Sequence, residues 1–230
     1  MSAITTTPPA AVEYPDSDGQ PVAENTLQFE WIVTLKGNID LLFRDRDDVF
    51  VAGDHLIYPV EGDNTTRQAP DVYVAFGRPK GHRGSYRVWD EGGVFPQVVF
   101  EVLSPGNRAG EMNRKRAFYR KYGVEEYYTI DPDDHTAEGV LRDGDTFREV
   151  PDMNGFVSPL LGIRFEVVGG RIRVLHPDGR PFLSFVELGE RERETAERAR
   201  NAERRAEAAR QKAERLAARL RELGVDPDAV

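Results

Sequence analysis

The chain has 230 residues, a net charge of −9, 39% hydrophobic and 31% charged residues, and no cysteine. That length suffices for one sizeable core or two small ones, and the absent cysteine excludes disulfides, a thiol nucleophile and cysteine–zinc sites. No run approaches the ~18 apolar residues of a membrane helix, and the first residues lack the basic-then-apolar pattern of a secretory signal, so a cytoplasmic, membrane-free protein is expected. The acidic total argues against binding nucleic acid over the whole surface. Charge is nevertheless uneven: residues 190–230 carry 11 Lys and Arg against 10 Asp and Glu, leaving 20 against 30 for residues 1–189.

Residues 1–23 are rich in Pro, Thr, Ala and Asp without periodicity, the pattern of a disordered or loosely docked arm. From Asn25, the residues Leu27, Trp31, Leu35, Ile39 and Leu42 fall near helical spacing, with Asn25 or Thr26 as N-cap. Glu30 on this helix reads as a solvated carboxylate. Val49–Val51 and His55–Tyr58 read as strands broken at Gly53-Asp54. His55 reads as a hydrogen-bonded or exposed histidine. Val72–Phe76 follows as another strand, with Asp71 at its start, where taken alone it is a turn or cap aspartate after Pro70.

The loop 77–87 carries Arg78, Lys80, His82, Arg83 and Arg87 among three glycines and no acidic residue. Cations with nearby glycines suit contacts to a phosphate backbone, although a solvated loop has the same composition. It has neither the strand–loop–helix context nor the Lys-Ser/Thr ending of a P-loop, which excludes that kind of nucleotide site.

Pro96-Gln-Val-Val-Phe-Glu-Val-Leu-Ser-Pro105 is the centre of the chain. Val98, Val99, Phe100, Val102 and Leu103 form a strand pattern buried on both faces, with the carboxylate of Glu101 inside it. An ionised carboxylate there is costly unless it faces a polar cleft or binds something positive. Ser104-Pro-Gly-Asn107 ends the strand with turn residues. A helix over Glu111–Tyr122 follows, with Met112, Ala117, Phe118 and Tyr122 expected inward and Gly123 as its stop. Glu126–Ile130 is the next strand, so strand–helix–strand order favours a crossover in an α/β layer. Short strands around Asp143-Gly144, Gly169-Gly170 and Asp178-Gly179 complete the body, with Ile163–Val168 and Arg171–Leu175 as a hairpin.

Glu190–Leu223 contains neither Gly nor Pro. Ala199, Ala202, Ala206, Ala209, Ala213, Leu216, Leu220 and Leu223 recur in alternating steps of three and four, a mostly alanine heptad seam. It fits either a solvated helix held by charge pairs or a homodimer through residues 190–223.

Asp71, Glu101 and Lys115 gain meaning together. Two carboxylates can hold Mg2+ or Mn2+ through hard oxygen ligands, and a lysine beside them can neutralise charge on a scissile phosphate. At Pro70-Asp71 and Val99-Phe-Glu-Val-Leu-Ser-Pro-Gly-Asn-Arg108, then Lys115 with Tyr119, Gly123–Tyr128 and Asp131-Pro132, the chain resembles the PD-(D/E)XK nuclease superfamily, and most of all its Uma-two branch.

The resemblance implies an α/β, restriction-endonuclease-like fold: a central mixed sheet flanked by helices over residues 24–188, here followed by a helix over 189–224 and a tail over 225–230. It implies a metal-dependent endonuclease acting on DNA, with Asp71 and Glu101 as metal ligands beside the carbonyl of Val102. Leu103 stands where the superfamily has its lysine, and Lys115 matches the displaced lysine of this branch. Arg78, Lys80, Arg83, Arg108 and Arg114 are the expected nucleic-acid contacts. The alternatives are an inactive nucleic-acid-binding module, with Leu103 marking lost chemistry, or an interaction protein acting through its C-terminal helix.

Overall fold

The computed structural model describes residues 12–17, 19, 23–107 and 109–223. Two compact units divide the chain, 1–182 and 183–230.

In the first unit a helix, α1 (Thr26–Leu42), precedes the strands β1 (Val49–Ala52), β2 (Ile57–Tyr58), β3 (Val72–Phe76), β4 (Tyr86–Arg87) and β5 (Val98–Val102). Helix α2 (Ala109–Tyr122) then leads to β6 (Glu126–Asp131), β7 (Thr136–Asp143), β8 (Thr146–Glu149), β9 (Arg164–Val167) and β10 (Ile172–Leu175). The central sheet has six strands in the order β1-β3-β5-β6-β7-β8, while β2 with β4 and β9 with β10 form small ribbons. All neighbours in the central sheet are antiparallel except β5 and β6, which run parallel across the α2 crossover expected from the sequence. The expected mixed sheet with flanking helices is what the chain forms.

Strand β5 divides the core because successive side chains point to opposite faces. Val98, Phe100 and Val102 join Ile32, Leu35 and Ile39 of α1 and Phe165 and Val174 of the β9–β10 ribbon. Val99 joins Tyr73, Tyr119 and Tyr127 on the other face. Glu101 shares the alternation of Val99, so it is aimed at α2 and away from α1.

Two helical faces differ from the sequence expectation at one position each, while Trp31, Leu35, Ile39 and Leu42 of α1 and Phe118 and Tyr122 of α2 pack against the core as expected. In α1 the buried stripe is Gln28, Ile32, Leu35, Asn38 and Ile39, whereas Leu27 is 39% exposed. Asn25 caps the helix as expected, its side chain accepting the Gln28 N–H at 2.8 Å, and Gln28 in place of Leu27 heads the buried stripe. In α2 the buried residue is Tyr119, and Ala117 is exposed. The helix turns Tyr119, with Lys115 four residues earlier, toward Glu101 and leaves Ala117 outside. Gly123 ends α2 with φ 98°, a left-handed conformation that a side chain would strain.

Part of the N-terminal arm docks. Tyr14 packs edge-on against Tyr58 at 5.2 Å and against Trp89 at 5.0 Å. Residues 1–11, 18 and 20–22 lie outside the described residues.

The second unit holds α3 (Phe185–Glu222), a helix of 38 residues. Ser184 and Glu187 form a reciprocal capping box at its start. No residue of α3 is buried. The expected stop at Gly224 lies outside the described residues.

Candidate active site

The site is assembled where β3 begins and β5 ends. In the antiparallel register Val72 faces Phe100, which sets Asp71 opposite Glu101. The Asp71 carboxylate accepts the Val102 N–H at 2.6 Å and so bridges the two strands. Asp71 therefore acts as more than a local turn residue.

Glu101 is 1% exposed. Its two oxygens are divided between two α2 side chains: Lys115 Nζ donates to Oε2 at 2.7 Å, and the Tyr119 hydroxyl donates to Oε1 at 2.6 Å. The spacing of four between Lys115 and Tyr119 places both donors on one helical face. Lys115 thus reaches, from the following helix, the carboxylate that a lysine at position 103 would have neighboured. Leu103 itself continues the strand, its N–H donating to the Ile130 carbonyl at 2.7 Å.

Ionising both carboxylates would leave the site one positive charge short. Burial and the neighbouring Glu101 push the Asp71 carboxyl up to about 8. Burial opposes the Lys115 ammonium, but Glu101 outweighs it and holds Lys115 above its ordinary value. Lys115 is consequently a cation and hydrogen-bond donor at neutral pH and not a general base. With both carboxylates ionised, one ammonium cannot balance them, and low local dielectric makes that imbalance expensive.

A hard divalent cation suits this donor set. Among the described residues no group of three or more His, Cys, Asp or Glu side chains could hold a metal. Two carboxylates, a carbonyl, water and a substrate oxygen remain, a combination typical of magnesium bound sparsely by protein. The Val102 carbonyl already accepts from Gln28 Nε2 at 2.8 Å, and its second lone pair stays open. The Gln28 amide is oriented by its Oε1, which accepts the Glu24 N–H at 2.8 Å.

Gln28 has no place in the stripe that periodicity predicts, which begins at Leu27. A polar residue at the head of the stripe Gln28–Ile32–Leu35–Ile39 was the available signal. Tyr119 was visible as a motif residue, but its hydrogen bond to Glu101 required the packing of α2. Glu30 is exposed, and the tertiary fold brings Gln28 to the site instead.

The turn after β5 is held by its own motif. Asn107 Oδ1 accepts the Ser104 N–H at 2.7 Å, and Ser104 Oγ donates to Glu24. A side chain on Gly106 would collide with the Glu24 carboxylate. Ser104, Gly106 and Asn107 therefore tie the end of β5 to the start of α1.

The expected nucleic-acid contacts fare unequally. Lys80 donates at 2.8 Å to the carbonyls of Phe43 and Arg44, capping α1 at the end opposite Gln28. Lys80 is thus spent on the end of α1 opposite the one that carries Gln28. Arg83 forms a shielded ion pair with Glu91, with a 3.1 Å bond from Nη2, and lies 3.9 Å over the Phe50 ring. Arg78 donates to the Glu91 carbonyl at 2.7 Å. All three loop cations are thus engaged within the fold. Arg114 is exposed on α2 beside Lys115, and Arg108 lies outside the described residues. His55 has hydrogen-bond contacts to Tyr73 Oη at 2.6 Å and the Arg83 carbonyl at 3.1 Å, the bonded role expected of it.

A cavity of about 430 Å3 lies elsewhere, between Arg116 and the β7–β8 region. Glu138, Glu149 and Asp152 on its walls would repel a phosphodiester, and neither Asp71 nor Glu101 lines it. No described helix is long and apolar enough to cross a membrane.

A search of curated proteins found no match. Among solved structures, one similar chain is a "putative nuclease" of the DUF820 group from Anabaena variabilis ATCC 29413, with 14% identity and a TM-score of 0.44. The similarity covers 59% of this chain and 72% of that one. The family model Uma2, described as "Putative restriction endonuclease", matches residues 4–166, more than half of the chain. The chain belongs to the Uma2 family of restriction-endonuclease-like nucleases.

Proposed function

We propose that the protein is a metal-dependent endonuclease that hydrolyses DNA phosphodiester bonds at Asp71, Glu101 and Lys115. The observation that carries this reading is the buried Lys115–Glu101 pair with Asp71 opposite, two carboxylates against one ammonium. A magnesium or manganese ion held by Asp71, Glu101 and the Val102 carbonyl would supply Lewis acidity and a more acidic bound water.

The protein's own groups do the rest. Lys115, held charged by Glu101, offers its remaining N–H donors to a non-bridging phosphate oxygen and stabilises the charge that grows there. Tyr119 fixes Glu101 from the other side, so the carboxylate keeps one rotamer as substrate arrives. Asp71 grips the Val102 N–H and Gln28 grips its carbonyl, which holds the peptide after Glu101 rigid. Arg114, exposed on the same helix as Lys115, attracts the flanking phosphates to an otherwise acidic body.

The test is cleavage of supercoiled, linear and single-stranded DNA with Mg2+, Mn2+ or EDTA, for the wild type, Asp71→Asn and Glu101→Gln. Metal-dependent cutting that both substitutions remove is expected. Cutting that survives either substitution refutes the assignment. DNA binding without cutting by any form would establish the inactive binding module instead.

A further inference from the structure

We infer that α3 is a docking helix for a different protein: an α-helix with acidic flanks, large aliphatic seam residues and a basic residue opposite Glu192. This goes beyond the nuclease reading and does not depend on it.

The seam runs further than the alanines. In the heptad phase set by Ala199 and Ala202, Phe185 and Leu188 occupy the same a and d positions two heptads earlier. Phe185 is 85% exposed, and Leu216 and Leu223 at the other end are 56% and 66% exposed. Glu192 and Thr195 interrupt the stripe between them. A seam of this length and exposure along one helix is a surface for another helix.

The flanks exclude a second copy as the best occupant. The g positions are Arg191, Arg198, Arg205, Lys212 and Arg219, every one a cation. The e positions from the same heptads are Gly189, Ala196, Glu203, Arg210 and Ala217. In a parallel self-pair each g residue faces the following e residue of the other helix. Arg198 then attracts Glu203, Arg205 repels Arg210, and Glu192 meets Glu192 across the seam. In an antiparallel self-pair g faces g, which sets cations against cations and leaves only Glu203 and Arg210 to attract at e. Five seam alanines bury too little area to offset these repulsions.

Acidic flanks on a partner would satisfy the whole g edge. Three of its cations, Arg191, Arg205 and Lys212, form no ion pair within α3, so they are available without breaking an existing one. The alanines leave shallow holes at Ala199–Ala213 that large aliphatic knobs would fill. Glu203, Glu207 and Glu214 interleave the remaining faces, which makes a nucleic-acid phosphate track a poorer match.

The full-length chain is tested with two designed helical peptides sharing a leucine seam and one lysine aligned with Glu192. One has glutamate at all flanking positions, the other lysine. Sedimentation of the chain alone is expected to give a monomer. The glutamate peptide is expected to bind one to one and at least about tenfold more tightly than the lysine peptide, less so at high salt. Ala206→Glu with Ala209→Glu abolishes that binding. Replacing Arg198, Arg205, Lys212 and Arg219 by Glu reverses the peptide preference while leaving the helix content unchanged. A wild-type dimer that Ala206→Glu with Ala209→Glu dissolves would overturn the inference in favour of self-pairing. Equal binding of both peptides overturns it as well, as does binding of neither. Binding of short duplex DNA that the four Arg and Lys replacements remove, without peptide discrimination, would assign the edge to nucleic acid.

Discussion

Two clusters of cations in this chain look alike as sequence and differ completely as structure. The loop 77–87 and the helix α2 both present arginines and lysines with little acid nearby. In the loop, Arg83 is held by Glu91, Arg78 by a carbonyl and Lys80 by the end of α1. These cations satisfy acceptors that the fold would otherwise leave exposed or buried without partners. On α2, Lys115 meets a carboxylate that is itself crowded by a second one. The lesson is that a cation's role depends on whether its partner is already balanced. Arg83 and Glu91 cancel. Lys115 balances Glu101 alone, so Asp71 can ionise at neutral pH only with a further cation beside it.

The largest effects should come from separating those two kinds of cation. Lys115→Ala should lower the DNA cleavage rate by about 10²–10³-fold, because a donor at developing charge is lost. Arg83→Gln should leave the rate per folded molecule unchanged but destabilise the fold by about 3 kcal/mol, because Glu91 is left shielded and unpaired. Steady-state cleavage beside thermal unfolding distinguishes them; equal rate losses in both variants would erase the contrast between loop and helix.

The charge excess also predicts a pH dependence. Asp71 ionises near 3.8 in an unfolded chain and near 8 in the fold. Its raised folded value gives a stability contribution that is fully present below 3.8 and drains away as pH rises through 8. Without metal, unfolding temperatures should therefore fall over that range, with a shallower fall in Asp71→Asn. Added Mg2+ should restore stability most at the alkaline end and release a proton on binding near neutral pH. Calorimetry in buffers of different ionisation enthalpy measures that proton; its absence would contradict an uncompensated Asp71.

Smaller effects lie at the two ends of α1. Gln28→Leu should weaken metal-dependent activity by about tenfold while the helix remains packed, as expected for a group that orients a ligand's peptide. Lys80→Gln, at the far end, should cost only about 0.5 kcal/mol through the lost helix-terminus contact and leave DNA affinity unchanged. A marked loss of DNA binding in Lys80→Gln would place Lys80 on the substrate surface.

Several parts of this arrangement were legible before any tertiary structure. The apolar run around Glu101 specified a strand buried on both faces, because no amphipathic alternation leaves a solvent side. The order of strand, helix and strand over 98–131 specified a parallel pair, because the intervening helix is long enough to cross over. The β9–β10 hairpin followed from strand patterns around Gly169-Gly170. Less legible was the rotation of each helix. Leu27 and Gln28 compete for one stripe of α1, and the Val102 carbonyl, which accepts from the Gln28 amide, favours Gln28. Ala117 and Tyr119 compete in the same way on α2, where the space around Glu101 selects the tyrosine.

What the sequence determined by itself was the set of elements, their order and the residue types able to do chemistry, since periodicity and turn residues act locally. The tertiary structure alone decided which of those residues are neutralised. Charge balance is a property of neighbours in space: Arg83 found Glu91 eight residues away, whereas Lys115 reached Glu101 opposite Asp71, thirty residues earlier in the chain. Burial then magnified the difference, because an unbalanced charge costs most where water cannot reach it.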